Sequence, residues 1–195
     1  MSDKNLNPII LFEEWFNLAS QKEINDPNAM CLSTISNDAP HSRMVLLKDF
    51  DDNGFVFYTN YESNKGKDIQ SNPNVCLNFH WKSLLRQVRI EGQIEKVSSV
   101  TSDNYFNSRH YLSRVGAWAS NQSSVLESRE LLERKIEQIK LKYPEGGTFP
   151  RPDYWGGFIV KPLKIEFWQD MPHRIHKREV YELKNGSWIY YNLYP

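Results

Sequence analysis

The decisive stretch runs from 75 to 97: Val75-Cys76-Leu77-Asn78-Phe79-His80-Trp81, then Lys82-Ser83, then Leu84-Leu85-Arg86-Gln87-Val88-Arg89-Ile90-Glu91-Gly92-Gln93-Ile94-Glu95-Lys96-Val97. Val75 to Trp81 and Leu84 to Val97 read as two successive strands. In the second, alternation puts Gln87, Arg89 and Glu91 on one face. Further strands are predicted upstream at Ala29 to Ser36, Ser42 to Lys48 and Phe55 to Thr59. Downstream they are predicted at Trp155 to Val160, Lys164 to Gln169, Ile175 to Leu183 and Ser187 to Tyr191.

Turn chemistry separates the strands. Asp52-Asn53-Gly54 and Asn185-Gly186 suit tight hairpins, and Ser71-Asn72-Pro73-Asn74 ends a short helix beginning near Asn64. Ile9, Ile10, Phe12, Trp15, Phe16 and Ala19 recur at helical spacing, which predicts an amphipathic helix over about 7–22. A helical insert of two helices is predicted over about 98–143, followed by a Pro/Gly-rich loop from Tyr143 to Pro152. The strands do not alternate regularly with helices, so a parallel doubly wound sheet is set aside. The reading is a mainly β, antiparallel barrel with flanking helices, as one domain over 1–195.

With 195 residues the chain can bury about two thirds of its unfolded surface in one core. Its 24 basic and 24 acidic residues cancel, so no global field draws it to nucleic acid or an anionic membrane. Any anion must be met by local clusters. Cys31 and Cys76 lie in apolar stretches without C-x-x-C spacing and read as reduced core residues. No run approaches a membrane span, and Met1 to Pro8 lacks the pattern of a secretory leader. A cytoplasmic protein without nucleic-acid or membrane partners is expected.

Five clusters could carry chemistry. Arg43-Met44-Val45-Leu46-Leu47-Lys48 is an apolar strand bounded by cations, which is also how a core strand with solvated ends looks. The two cations are five apart, so a regular strand would send them to opposite faces. Tyr58-Thr59-Asn60 and Ser63-Asn64-Lys65-Gly66-Lys67 offer hydroxyls, a lysine and helix N-terminal amides that could hold a phosphate, although a capped surface helix would look the same. Gln87, Arg89 and Glu91 could face a ligand or water. Tyr105 and Arg109 share a helix face and, with Ser113, could clamp a phosphate, or form an arginine-on-aromatic stack. Glu166-Phe167-Trp168-Gln169 precedes His173-Arg174-Ile175-His176-Lys177-Arg178. If the latter is extended, Arg174, His176 and Arg178 point to one side and repel unless an anion or acid is present. His173 and His176 lack a third ligand at a recognised spacing, so no metal site is expected.

Taken in order, and with Gly116-Ala117-Trp118-Ala119-Ser120-Asn121-Gln122-Ser123, Trp155-Gly156-Gly157-Phe158 and Ile165 to Arg178, these segments resemble the pyridoxamine 5'-phosphate oxidase family. The resemblance runs from the first helix to the carboxyl terminus. It implies an antiparallel, Greek-key, FMN-binding split barrel, forming a homodimer with two flavin sites built from both chains. By matching positions, FMN would be held by Arg43, Met44, Val45, Leu46, Leu47, Lys48, Tyr58, Thr59, Lys65, Gln87, Gln122, Ser123, Trp168 and Arg178. Lys48, Tyr105, Arg109 and Ser113 would take the substrate phosphate, with Arg174 and His176 near the pyridine ring as positioning and electrostatic groups. The implied reaction oxidises pyridoxamine or pyridoxine 5'-phosphate to pyridoxal 5'-phosphate, with O2 reoxidising the flavin to give H2O2, and ammonia released from the amine.

Three positions depart from the family pattern. Asn64 stands where arginine is common beside the equivalent of Lys65, the amino terminus is short, and the chain ends Tyr191-Asn192-Leu193-Tyr194-Pro195 rather than with an arginine-leucine pair before the final proline. Two other functions fit the same residues. A flavin reductase on the same fold would not need the second phosphate clamp. A non-catalytic carrier of FMN or pyridoxal phosphate would bind without turning over.

Overall fold

The computed structural model describes residues 7–195, so the short amino terminus itself lies outside the described residues. Helix α1 spans Pro8–Lys22. The Asn7 side chain accepts from the Ile9 amide and Pro8 sits at the start, where its missing N–H leaves no helical bond unmade. Strands β1 (Ala29–Ser36) and β2 (Ala39–Leu46) form a hairpin, and β3 (Asp49–Asp51) and β4 (Gly54–Asn60) form a second one. Helix α2 (Asn64–Ser71) follows, then β5 (Asn74–Trp81) and β6 (Arg86–Lys96). The insert holds three helices rather than two: α3 (Ser99–Ser108), α4 (Tyr111–Ala119) and α5 (Arg129–Lys142). Strands β7 (Trp155–Gln169), β8 (Lys177–Lys184) and β9 (Ser187–Asn192) complete the chain.

The nine strands of the described residues belong to one antiparallel sheet in the order β2-β1-β5-β6-β7-β4-β3, with β8 and β9 added beside β7. The two end strands of that order, β2 and β3, are consecutive in the chain. Leu47 and Lys48 join them by donating their amides to Asn28 and Val56 carbonyls at 2.8 Å each. The sheet therefore curls closed at a seam only two residues wide, which is the split barrel.

The two strands predicted at 155–160 and 164–169 are one. β6 runs beside β7 throughout, while β4 pairs with residues 155–160 and β8 with residues 164–169 of its other edge. Pro162, which reads as an interruption, falls opposite Gly92 where the β6–β7 register shifts. A strand tolerates proline at such an irregularity. A Cβ on Gly92 would overlap the Lys161 carbonyl, so the close approach requires glycine there.

The core lies inside the barrel and under α1. Phe12 is fully buried, with its ring centroid 4.9 Å from those of Phe50 and Phe55 and 5.2 Å from that of Phe79, and Trp15 meets Phe167 edge-on. A second cluster of Phe106, Val115, Phe149 and Trp155 ties the helical insert to β7. The cysteines are free and half-buried rather than core residues, and burial pushes the Cys76 thiol up to about 11. Among the described residues no helix is long and apolar enough to cross a membrane.

Candidate active site

A cavity of about 490 Å³ opens where β2, β4 and the helical insert meet. Its apolar wall is Met44, Val45 and Leu46, of which Met44 and Leu46 are exposed in the single chain. Its polar side falls into two groups.

Thr59, Lys65 and Gln122 form the first. The Ser63 hydroxyl caps α2 by accepting from the Gly66 amide, and Lys65 Nζ donates to Ser63 Oγ at 3.2 Å and to Gln122 Oε1 at 3.0 Å. Lys65 is 9% exposed. Burial, and then the nearby Arg43 charge, hold its ammonium below the usual lysine range against the opposing pull of Asp68. Among the described residues its nitrogen touches only neutral oxygens at hydrogen-bond distance, an arrangement suited to receiving an anion.

Lys48, Tyr105, Arg109 and Ser113 form the second group, with Trp155 and His110 beside them. The rings of Tyr58 and Tyr105 stack at 3.8 Å, Trp155 lies parallel to both, and the Arg109 guanidinium sits 4.5 Å over Trp155. This ladder fixes Arg109 without hydrogen-bonding it fully: its Nη1 is buried and has no partner among the described residues. Burial lowers its pKa, and the Tyr105 phenol opposes that shift. A buried guanidinium nitrogen left unpaired is costly unless a ligand completes it.

Other expected residues are placed elsewhere. The Arg43 side chain does not line the cavity: it donates to the Leu32 carbonyl and to Thr34 Oγ1 at 2.7 Å, with Asp68 at 3.4 Å. β2 ends at Leu46, and Leu47 turns into the core at 3% exposure, so Arg43 and Lys48 do not belong to one unbroken strand. Ser123 lies beyond Gln122 in a neighbouring pocket, at φ 73°.

Gln87, Trp168, His176 and Arg178 gather on another part of the sheet. Gln87 pairs with Trp168 and Trp168 with Arg178, while the His176 ring centroid lies 4.6 Å from that of Trp168, the planes tilted by 42°. The extended run expected at Arg174–Arg178 does not form. Pro172–Arg174 is a 3-10 turn, His173 and Arg174 both take positive φ (59° and 62°), and the strand begins only at Lys177. Two successive non-glycine residues in that region store backbone strain, a cost met more often at functional segments than elsewhere. Two of the three groups meet an acid within the chain: Arg178 Nε lies 2.6 Å from Glu166, and His176 Nδ1 lies 2.9 Å from Asp170. Glu166 also receives Arg89 Nη2 at 2.8 Å. Its hydrogen bond is the main reason the Arg178 pKa is raised.

Residues 17–143 match the model of the pyridoxamine 5'-phosphate oxidase family, and residues 155–195 match the pyridoxine 5'-phosphate oxidase C-terminal dimerisation region. The chain belongs to the pyridoxamine 5'-phosphate oxidase family. It is 51% identical over 196 residues to the pyridoxine/pyridoxamine 5'-phosphate oxidase of Gloeothece citriformis, covering 100% of this chain and 91% of the relative. It is 50% identical over 186 residues to the protein of the same name from Pelagibacter ubique, covering 94% and 89%. The crystal structure of PhzG from Burkholderia lata, in complex with tetrahydrophenazine-1-carboxylic acid, superposes with a TM-score of 0.92 at 27% identity, over 99% of this chain and 95% of that one. An FMN-binding protein of Nostoc punctiforme shares the fold at 15% identity, with a TM-score of 0.75 over the full length of both chains.

As a family member the chain assembles as a homodimer through its dimerisation region. Its residues also suit the family cofactor. FMN needs an anion site and an apolar slot, and Lys65 with its neutral oxygen partners lies beside Met44, Val45 and Leu46. His110 and Trp155 also line the cavity, and the family pattern assigns them no role. Trp155 lies within the Trp155-Gly156-Gly157-Phe158 segment, and His110 follows Arg109 at a helix start, so adjacency is the one signal for them in the sequence.

Proposed function

We propose that this chain is a cytoplasmic, FMN-dependent oxidase that converts pyridoxine 5'-phosphate and pyridoxamine 5'-phosphate to pyridoxal 5'-phosphate. Bound FMN would supply the hydride acceptor for C4' of the substrate, with O2 as the final oxidant yielding H2O2 and, for the amine, water hydrolysing the imine to release ammonia. The protein's task is to bind and orient. Lys65, Thr59 and Gln122 hold the flavin phosphate, and Met44 to Leu46 wall the ring. Lys48, Tyr105, Arg109 and Ser113 hold the substrate phosphate, so C4' is placed by a fixed clamp rather than by chance encounter. Gln87, Trp168, Arg174, His176 and Arg178 do not line this cavity, and the homodimer gives them a place: one protomer supplies the phosphate clamps, and its partner supplies this second cluster over the rings.

The observation that carries the reading is the buried, unpartnered Nη1 of Arg109 within a second cationic group. A reductase with a single phosphate to hold has no use for it. Anaerobic mixing of the flavin-loaded protein with pyridoxine 5'-phosphate should bleach the flavin absorbance, and air should restore it. A flavin that stays oxidised would leave a carrier, not an oxidase.

A further inference from the structure

His110 lines the cavity beside Arg109 and Ser113 and has no part in the roles above. It is also the N-cap of α4, its Nδ1 accepting from the Leu112 amide at 3.3 Å. A ring nitrogen that accepts a hydrogen bond carries no proton, so the neutral ring holds its proton on Nε2. The cap therefore selects the tautomer and leaves Nε2–H as the donor available to a ligand. The His110 carbonyl accepts from the Ser113 and Arg114 amides at 2.9 and 3.2 Å, which holds the residue's backbone in place.

Lys48, Lys65 and Arg109 line the cavity, and among the described residues no carboxylate does. An N–H donor placed beside these cations adds a hydrogen bond to a phosphate oxygen held there. Resting on the oxidase reading above, we infer that His110 is a specificity residue, donating Nε2–H to the substrate phosphate beside Arg109 and Ser113. It thereby favours phosphorylated over unphosphorylated pyridine substrates.

The test separates the cap from the donor. His110→Ser keeps a capping oxygen for the Leu112 amide but cannot reach into the cavity, while His110→Ala loses both. In the FMN-loaded protein, His110→Ser should raise KM for pyridoxine 5'-phosphate about tenfold, as loss of one charge-assisted hydrogen bond implies, with kcat and melting temperature unchanged. Titration with pyridoxal 5'-phosphate should show the same loss of affinity, and titration with phosphate-free pyridoxal should show none. His110→Ala should add a lower melting temperature to the same loss. The inference is overturned if His110→Ser binds pyridoxal 5'-phosphate as the unaltered protein does. Equal weakening toward pyridoxal with and without its phosphate overturns it too, as does an unaltered protein that binds the two equally well. If the unaltered protein binds pyridoxal 5'-phosphate but never oxidises pyridoxine 5'-phosphate, the oxidase reading fails while the binding comparison still decides the role of His110.

Discussion

Lys65 carries a charge that folding alone disfavours. Its ammonium is buried against neutral oxygens, and burial is the first cause of its lowered pKa. A lysine whose folded pKa is lowered destabilises the folded state wherever the unfolded lysine is protonated, which includes all of neutral pH, and ceases to do so only as pH rises past the unfolded value. An arriving phosphate reverses the balance by supplying the missing anion. Lys65→Met should therefore raise the melting temperature of the flavin-free protein by a few degrees, about 1 kcal/mol for a chain of this size. The same change should weaken FMN binding about ten- to hundredfold, with riboflavin, which lacks the phosphate, much less affected. Thermal melts and flavin titrations check both halves. A flavin-free melting temperature that falls would show that Lys65 serves folding first.

Helix α2 is held from beneath by a buried network. Asp68 accepts from Thr34 Oγ1 at 2.7 Å, lies 3.0 Å from His41 Nδ1, and has Arg43 at 3.4 Å. Burial acts to raise its pKa, but the hydrogen bonds from Thr34 and His41 and the charges of His41 and Arg43 outweigh it, leaving a net depression below 3.8. A carboxylate with a depressed folded pKa contributes stability above its unfolded value, and loses it as pH falls through the folded one. Asp68→Asn should cost about 1–3 kcal/mol at neutral pH. The gap from the unaltered protein should close only below about pH 4, the range of an unfolded aspartate; denaturant melts across pH would show it, and a constant gap would refute the network's electrostatic role. The other end of α2 bears Asn64, exposed at the first turn. If that position faces the flavin phosphate, Asn64→Arg should tighten FMN about fivefold, roughly 1 kcal/mol for a solvent-screened fork. The gain should shrink in high salt and vanish for riboflavin. Equal tightening of both ligands would point to packing instead.

At the scale of the whole molecule, the proposed site needs two chains. Arg109→Met damages the clamp and Arg178→Ala damages the second cluster, so each homodimer alone should be nearly inactive. Unfolding and refolding the two variants together should give half heterodimers, each with one site free of both changes under two-fold symmetry, and hence about a quarter of full activity. Activity that stays at the level of the separate variants would mean that both clusters act within one chain. The strands at 75–97 show how much of the architecture was legible: alternation, turn residues and the hairpin at Asn185-Gly186, with φ of 51° and 78°, are local properties, and they state an antiparallel sheet without coordinates. Pro162 misled for an equally local reason, since proline ends most strands, and only the Gly92 close approach across the sheet shows why this one continues. The spacing of Tyr105, Arg109 and Ser113 likewise stated that they could meet one ligand. Whether a cation is spoken for is not local. Arg43 is engaged by Thr34 and Asp68, and Arg178 by Glu166, through contacts between residues 9 to 25 positions apart. Sequence by itself determined the antiparallel strand pattern, the family and the supply of anion-binding groups, because periodicity and motif order are written along the chain. The tertiary structure alone decided which of those groups remain unpaired, because burial and partnership arise only when distant segments pack.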